Sequence, residues 1–375
     1  MKRIKVLHTI RQGSIGGGET YLYNLVTNLD KEKYEPVVLS FTNGEMVDKL
    51  RMNGIKTHVI ETEKPFSLHL YPKVNKLMKN ENIDLLHIHG TRAATNSLIP
   101  SLMSNIHSIY TVHGWSFHTG NNPLVTRLRA LAERFITKNV EKTVCGSEAD
   151  LQTGRKYCGG GKYELIHNSI NTEEFNPDSI ESDFRTEHGF SNDDFIIAFI
   201  ARITFQKDPK TFIRAIPEVL KYIPNAKFVM IGEGELKKDC VDLVNELGVE
   251  KNINFLPFSK NVKQVLKNID VFVLPSLWEV IPLALLEAMA MKNICIGTNI
   301  PGTTEALIDG ENGFLFETGD CNELAKKIVR GYQDKDQREL LANKARKTVV
   351  DKFDLKTLVR KNEELYSRIM EQVNV

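Results

Sequence analysis

Apolar runs of strand length recur along the chain, each followed by a turn and a stretch with helical spacing. The first occupies 4–10 (IKVLHTI), and the apolar positions after it predict a helix over 21–29. Strand-like and helix-like segments then alternate at 37–41, 46–53, 57–60, 71–80 and 85–89. Alternation of this kind predicts a parallel sheet covered by helices on both faces. A second series opens with FIIAFIARI at 195–203 and continues through FVMIG, VFVLPS at 271–276 and 294–298. Continuous runs rich in β-branched residues suit strands buried on both faces. Between Asn171 and Asp194 the chain is polar and has no periodic apolar face, which predicts an interdomain linker. After Phe316 the pattern is helical and amphipathic to the end. The expected fold is α/β, with two doubly wound domains at 1–175 and 176–355. A last helix is expected at 356–375.

Composition narrows this picture. A length of 375 residues suits two ordinary domains, and no window approaches the ~20 apolar residues that span a bilayer. The opening MKRIKVLHTI is basic and then apolar, but its apolar run is too short for a signal peptide and reads as the first strand. Five scattered cysteines without a C-x-x-C pair argue for a reducing cytoplasm and against a disulfide frame or a zinc site. Charge is asymmetric: residues 1–175 carry 22 Lys/Arg against 17 Asp/Glu, and the remainder 27 against 31. A positive first half suits a phosphate-bearing or membrane-borne partner. An amphipathic helix predicted over 123–142 carries Arg127, Arg129, Arg134, Lys138 and Lys142. It reads either as a solvated face with interspersed Glu or as a contact for anionic lipid.

The residues that suggest chemistry cluster after strand-like runs. Glu287 is the only charge in the apolar helix predicted over 282–291, with Pro282 at its first position. Such a carboxylate must be paired, hydrogen-bonded or facing a ligand, because burying it alone costs several kcal/mol. Glu279 lies in the preceding loop, beside backbone N–H groups of the kind that hold phosphate. Arg202 and Lys207 flank another helix start, at Asp208-Pro209, where Asp208 reads as an N-cap. A planar guanidinium and a point charge suit a diphosphate there. Gly13, Ser14, Ile15, Gly16, Gly17 and Gly18 form a glycine-rich loop between strand and helix, which lets backbone amides approach a phosphate. Its spacing fits neither the dinucleotide fingerprint nor a Walker loop. Gly232 and Gly234 form a second strand-end turn, and 254–258 a third. His87 and His89 share a face of one strand, but no third ligand is evident nearby to make a metal site. His113 ends the next strand, where ligands of open α/β sheets collect.

The Glu279-x7-Glu287 spacing, the segment PGTTEALIDGENGFL at 301–315, and the Gly17-Gly18-Glu19 loop resemble those of group 1 glycosyltransferases. These are the retaining family 4, with the GT-B fold of two Rossmann-like domains facing across a cleft, which implies that the last helix, at 356–375, crosses back onto the first domain. The resemblance runs along nearly the whole chain, most densely from Arg202 to Phe316. It implies that Glu279 and His113 contact the donor sugar, while Arg202 and Lys207 stabilise the leaving diphosphate; these four make up the catalytic set. It further implies donor contacts from Gly16, Gly17, Gly18, Gly232, Gly234, Val280, Ile281, Pro282, Leu283, Glu305 and Glu287, the last on the ribose hydroxyls. His89 and Glu19 would stand on the acceptor side. Ser147, at a strand end before an acidic helix start, also matches. Ser169 and Asn171 depart from the usual Asn-Gly-Ile/Val-Asp, and Ala201 and Asp208 replace glycines of the Arg…Lys frame.

The function so implied is transfer of a hexose-type sugar from a nucleotide-diphosphate donor, UDP before GDP or ADP, with retention of configuration. The acceptor would be a glycan or lipid-linked saccharide of bacterial surface polysaccharide synthesis. No metal or cofactor is expected, and no nucleic acid; the lone Asp334-x-Asp336 reads as surface. Localisation is expected to be cytoplasmic, with peripheral contact at the inner membrane face. Two other readings stand beside this one: a sugar-nucleotide epimerase of similar architecture, and a non-catalytic subunit that binds nucleotide sugar.

Overall fold

The computed structural model describes residues 2–14, 16–117, 122–257 and 261–373. It divides into two compact units, Met1–Asn168 with Leu355–Val375, and Ser169–Asp354.

Among the described residues the first unit holds seven strands: β1 (Ile4–Ile10), β2 (Tyr34–Ser40), β3 (Lys56–Val59), β4 (Leu85–His89), β5 (His107–Val112), β6 (Lys142–Cys145) and β7 (Tyr163–Leu165). They form one parallel sheet in the order β3-β2-β1-β4-β5-β6-β7. The second unit holds β8 (Ile196–Ile200), β9 (Lys227–Ile231), β10 (Ile253–Leu256), β11 (Val271–Leu274), β12 (Ile294–Thr298) and β13 (Phe314–Phe316). These are also parallel, in the order β10-β9-β8-β11-β12-β13. Both units are Rossmann-like and doubly wound. The strand order reverses between β1 and β4 in one, and between β8 and β11 in the other.

Each sheet buries both faces, as its uninterrupted apolar strands require. Successive side chains alternate across a strand, so Leu7 joins a core with Leu86, Ile88 and Tyr110, while Val6 joins another with Leu85, Ile109 and Val144. The second of these cores is closed by the last helix, Leu355–Val373, through Leu358, Leu365 and Tyr366. In the second unit Ile197 and Phe199 face one core and Ile196, Ala198 and Ile200 the other.

The structure departs from the sequence reading at several boundaries. The units divide at 168/169 and 354/355, where the pattern suggested 175/176 and 355/356. The polar stretch from Asn171 to Asp194 is not a free linker but is built into the second unit. Phe184 and Phe190 are buried in its core, and Arg185 is fixed by Asp194 O at 2.9 Å and Asp270 at 3.2 Å. Two isolated aromatics without periodicity give no pattern to read, yet they suffice to anchor a loop. The helix predicted over 123–142 ends at Lys138, and Lys142 opens β6 instead. On that helix Glu133 is not part of a solvated face: it is fully buried, accepting from Thr91 Oγ1 at 2.6 Å, Tyr110 OH at 2.9 Å and Ser116 N at 3.3 Å. The helix predicted over 21–29 begins earlier, at Gly17, because an N-terminal turn needs no apolar residue to form. Pro282 occupies the N-cap and not the first helical position of Leu283–Ala290. Asp334 caps the helix Lys335–Lys352 through Gln337 N at 2.8 Å and, with Asp336, is exposed.

Candidate functional site

In the second unit the expected residues gather at the carboxyl ends of four neighbouring strands. Arg202 and Lys207 follow β8, Gly232 and Gly234 follow β9, Glu279 to Leu283 follow β11, and Glu305 follows β12. β8 and β11 flank the reversal of strand order, which is where open α/β sheets hold their ligands. Phe258 and Ile15, which fall in two of the loops considered above, lie outside the described residues.

The loops after β8 and β11 are stitched to each other. Leu277 N donates to Gln206 O at 2.8 Å, and Gln206 Nε2 donates to Trp278 O at 2.9 Å. Lys207 Nζ forms an ion pair with Glu279 Oε1, which also accepts from Ser276 Oγ at 2.7 Å. Both side chains are largely shielded, so water screens this pair less than it would an exposed one. Arg202, in contrast, is exposed and has no ion pair among the described residues, leaving its fork open to an anion.

Glycines set this geometry by close approach. A Cβ on Gly232 would lie 2.0 Å from Ala201 O, and one on Gly234 would lie 2.2 Å from Ile203 O. Their contribution is therefore to let the β9 loop press on the β8 loop. Gly302, in the segment at 301–315, does the same for the β11 loop: its Cβ would stand 2.2 Å from Val280 O and 2.3 Å from Glu279 O. Asp208, at one of the positions where the resemblance has glycine, adopts φ 42° and ψ 57°. That left-handed conformation explains a preference for glycine there. Asp208 occupies the N-cap position of Pro209–Tyr222, but its carboxylate accepts from Thr211 Oγ1 at 2.6 Å and caps no backbone N–H.

Glu287 lies within the helix Leu283–Ala290, partly exposed, with no side-chain hydrogen bond or ion pair among the described residues. Burial first, and the nearby Glu174 second, push its carboxyl up to about 7. Of the three options open to a lone carboxylate on an apolar helix, pairing and hydrogen bonding are not taken up among the described residues. Glu305 sits at the C-cap of the short helix Pro301–Thr304, partly buried.

In the first unit Gly16 is the N-cap of the helix Gly17–Asn28, whose first turn holds Gly17, Gly18 and Glu19. The Glu19 carboxylate folds back over Gly16, where an added Cβ would meet its Oε2 at 2.5 Å. Gly18 packs on His113, since a Cβ there would reach the ring at 3.1 Å. The glycine loop and His113, far apart in the chain, thus belong to one site. Ser147 caps its helix by accepting from Asp150 N at 3.0 Å.

His113 and His89 are in contact, Nε2 to Nδ1, at 3.2 Å. The third imidazole that the sequence failed to supply next to His87 and His89 is His8, across from them on β1. The three place one ligand nitrogen each within 4.8 Å of one another. Both nitrogens of His87, however, are taken at 2.6 Å, by Tyr366 OH and by Thr111 Oγ1. A neutral imidazole has one lone pair, and that of His87 is already directed at a hydroxyl, so among the described residues the cluster reads as hydrogen-bonded imidazoles. Burial holds His8 down to about 3 and His113 to about 4. Sequence reasoning missed His8, Gln206 and Glu133 because each acts through a neighbour that is remote in the chain, and Ser276, three residues before Glu279, because a lone serine after a strand carries no pattern.

Comparison with known proteins identifies the family. A family described as glycosyl transferases group 1 matches residues 181–348, and glycosyltransferase family 4 matches residues 15–174. The chain belongs to this family of glycosyltransferases. It is 29% identical over 298 residues to the UDP-Gal:alpha-D-GlcNAc-diphosphoundecaprenol alpha-1,3-galactosyltransferase of Escherichia coli, covering 78% of this chain and 77% of that one. It is 28% identical over 208 residues to the capsular polysaccharide biosynthesis glycosyltransferase CapM of Staphylococcus aureus, covering 55% and 54%. Among solved structures, Anabaena HepE in complex with UDP and glucose superposes with a TM-score of 0.86 at 21% identity, covering 98% of this chain and 100% of that one. The two parallel sheets are those of the GT-B fold.

Proposed function

We propose that this glycosyltransferase moves a hexose-type sugar from a UDP-sugar to a glycan or lipid-linked saccharide in bacterial surface polysaccharide synthesis, with retention and without a metal. The observation that carries the reading is the shielded Lys207–Glu279 pair beside an open Arg202, at the reversal of strand order, with Glu287 unpaired on the next helix. In glycosyl transfer, positive charge develops on the sugar while negative charge grows on the departing diphosphate. Lys207, Arg202 and backbone N–H groups at helix starts are suited to receive the latter. Glu279 is suited to orient the sugar, and Glu287 to accept from ribose hydroxyls. The choice of UDP is supported by the donor named for the Escherichia coli relative and by the ligand of HepE; the acceptor class is supported by the relatives' names.

The test is nucleotide release from a panel of UDP-, GDP- and ADP-sugars in EDTA, with and without a crude lipid-linked acceptor extract. Release from a UDP-sugar only when acceptor is present is the expected result. Release of an altered nucleotide sugar without acceptor would favour an epimerase. A UDP-sugar that raises the melting temperature without turnover under any condition would favour a binding subunit.

The same reading includes contact of the first unit with the inner face of the cell membrane, from a cytoplasmic location. No helix of the described residues is long and apolar enough to cross a membrane. On Pro123–Lys138, however, Leu124, Leu128, Leu131 and Phe135 line one face and are between 49% and 67% exposed. Arg127, Arg129, Arg134 and Lys138 are exposed on the same helix. Apolar residues with flanking cations suit the boundary of an anionic bilayer. Sedimentation with phosphatidylglycerol vesicles should carry the protein down at low salt, and phosphatidylcholine vesicles should not. The Leu128→Asp, Leu131→Asp double variant should lose at least tenfold in vesicle affinity and keep its melting temperature. Equal binding by that variant would remove the helix from the membrane reading.

A further inference from the structure

Three imidazoles stand in file across the middle of the first sheet: His8 on β1, His89 on β4 and His113 just beyond β5. His8 Nδ1 meets His89 Nε2 at 3.2 Å, and His89 Nδ1 meets His113 Nε2 at 3.2 Å. The ring planes are nearly parallel, with interplanar angles of 21° and 11°, and the rings lie edge to edge. His8 and His89 are buried and His113 is partly so; burial depresses all three, leaving them neutral near pH 7. His87 lies against His89 but spends both nitrogens on hydroxyls, so it stays outside the file.

A neutral imidazole has one N–H and one bare nitrogen. Each of the two contacts needs one hydrogen between its two nitrogens. Only two arrangements satisfy both: Nδ1–H on all three rings, or Nε2–H on all three. They differ at the inner end. His8 Nε2 is buried without a hydrogen-bond partner. In the second arrangement it would strand an N–H there; in the first it strands only a lone pair. Orphaned buried N–H groups are the rarer case in folded proteins.

We infer that His8, acting through His89, holds His113 in the Nδ1–H tautomer, so that the group offered past the end of β5 is a hydrogen-bond donor and not a base. His113 Nδ1 has no hydrogen-bond partner among the described residues, which leaves it available. His8 and His89 are then positioning residues. The catalytic consequence rests on the reading above in which His113 meets the donor sugar: an Nδ1–H donates to a sugar hydroxyl oxygen, whereas the other tautomer could only accept from it.

The experiment is a long-range proton–nitrogen correlation spectrum of the full chain labelled with nitrogen-15 histidine at pH 7.5, assigned by single substitutions. The expected result is an Nδ1–H signature at His8, His89 and His113, with the other tautomer at His113 below one tenth. His8→Asp puts acceptor-only oxygens where Nδ1–H stood, so it should turn His113 to the Nε2–H tautomer and lower kcat about tenfold with little change in donor KM. His8→Asn places an amide N–H where Nδ1–H stood and should restore both. An Nε2–H signature at His113 in the unsubstituted protein overturns the inference whatever the activity, and that spectrum decides the matter even if His8→Asp fails to fold. An Nδ1–H signature combined with undiminished transfer by His113→Ala leaves the tautomer assignment standing and removes His113 from the donor contacts instead.

Discussion

Lys207→Ala is expected to lower kcat/KM for sugar transfer by 10²–10³-fold or more, the order found when one preorganised electrostatic contact to a transition state is removed. The reason lies in how the cation is held. Its ammonium is ion-paired with Glu279 in a largely shielded position, and Glu279 is in turn fixed by the Ser276 hydroxyl. Nothing has to reorganise when charge develops on a diphosphate, which is the condition under which a charge contributes most. The variant leaves Glu279 its hydroxyl partner and a water-accessible margin, so the melting temperature should move by only a few degrees. Because the two residues act as a unit, adding Glu279→Gln to Lys207→Ala should cost much less than the product of the separate losses. Initial rates of UDP release, together with a thermal melt of each variant, make the comparison. Near-normal transfer by a folded Lys207→Ala protein would take the diphosphate away from this loop.

Glu287→Gln should produce opposite effects on stability and binding. In the unfolded chain this carboxyl ionises near its ordinary value of 4.5, and in the folded unit near 7. Between those two values the unfolded state has released a proton that the folded state retains, so stability falls as pH rises through the interval and stays low above it. Glutamine removes that dependence. The variant should match the native protein at pH 4.5 and exceed it by about 2 kcal/mol at pH 8, measured by urea unfolding. UDP affinity should move the other way. An ionised carboxylate accepting from ribose hydroxyls is worth about 1.5–3 kcal/mol, so glutamine should weaken UDP binding roughly 10–100-fold in calorimetry. Binding to the native protein should tighten as pH rises through about 7. A stability difference that ignores pH, or UDP affinity unchanged by the substitution, would be incompatible with the assignment.

Much of the donor side was legible because its signals are local. A β-branched run, a short loop and a helix start predict where a strand's carboxyl end lies, and Arg202, Lys207 and Glu279 sit within a few residues of such ends. Glu287 was visible as the single charge of an apolar helix. Errors arose where local pattern carries little information. Two phenylalanines without periodicity turned an expected linker into part of the second unit, and a glycine-containing first turn has no apolar position to mark it as helix. Glu133 looked like a surface charge, since nothing within its own helix reveals Tyr110 and Thr91 behind it.

The sequence by itself determined that the chain alternates strand and helix, that its sheets are parallel and buried on both faces, and which residues occupy the loops at the strand ends. These follow from periodicity and turn chemistry over spans of a few residues. Only the tertiary structure decided which loops meet. β1 lies beside β4, so His8 reaches His89; β8 lies beside β11, so Lys207 reaches Glu279; and Gly302 lets a third loop close on the Glu279 backbone. Strand order is a property of how whole elements pack. Contacts between residues some seventy to eighty positions apart arise from burying both faces of a sheet, and no local pattern encodes them.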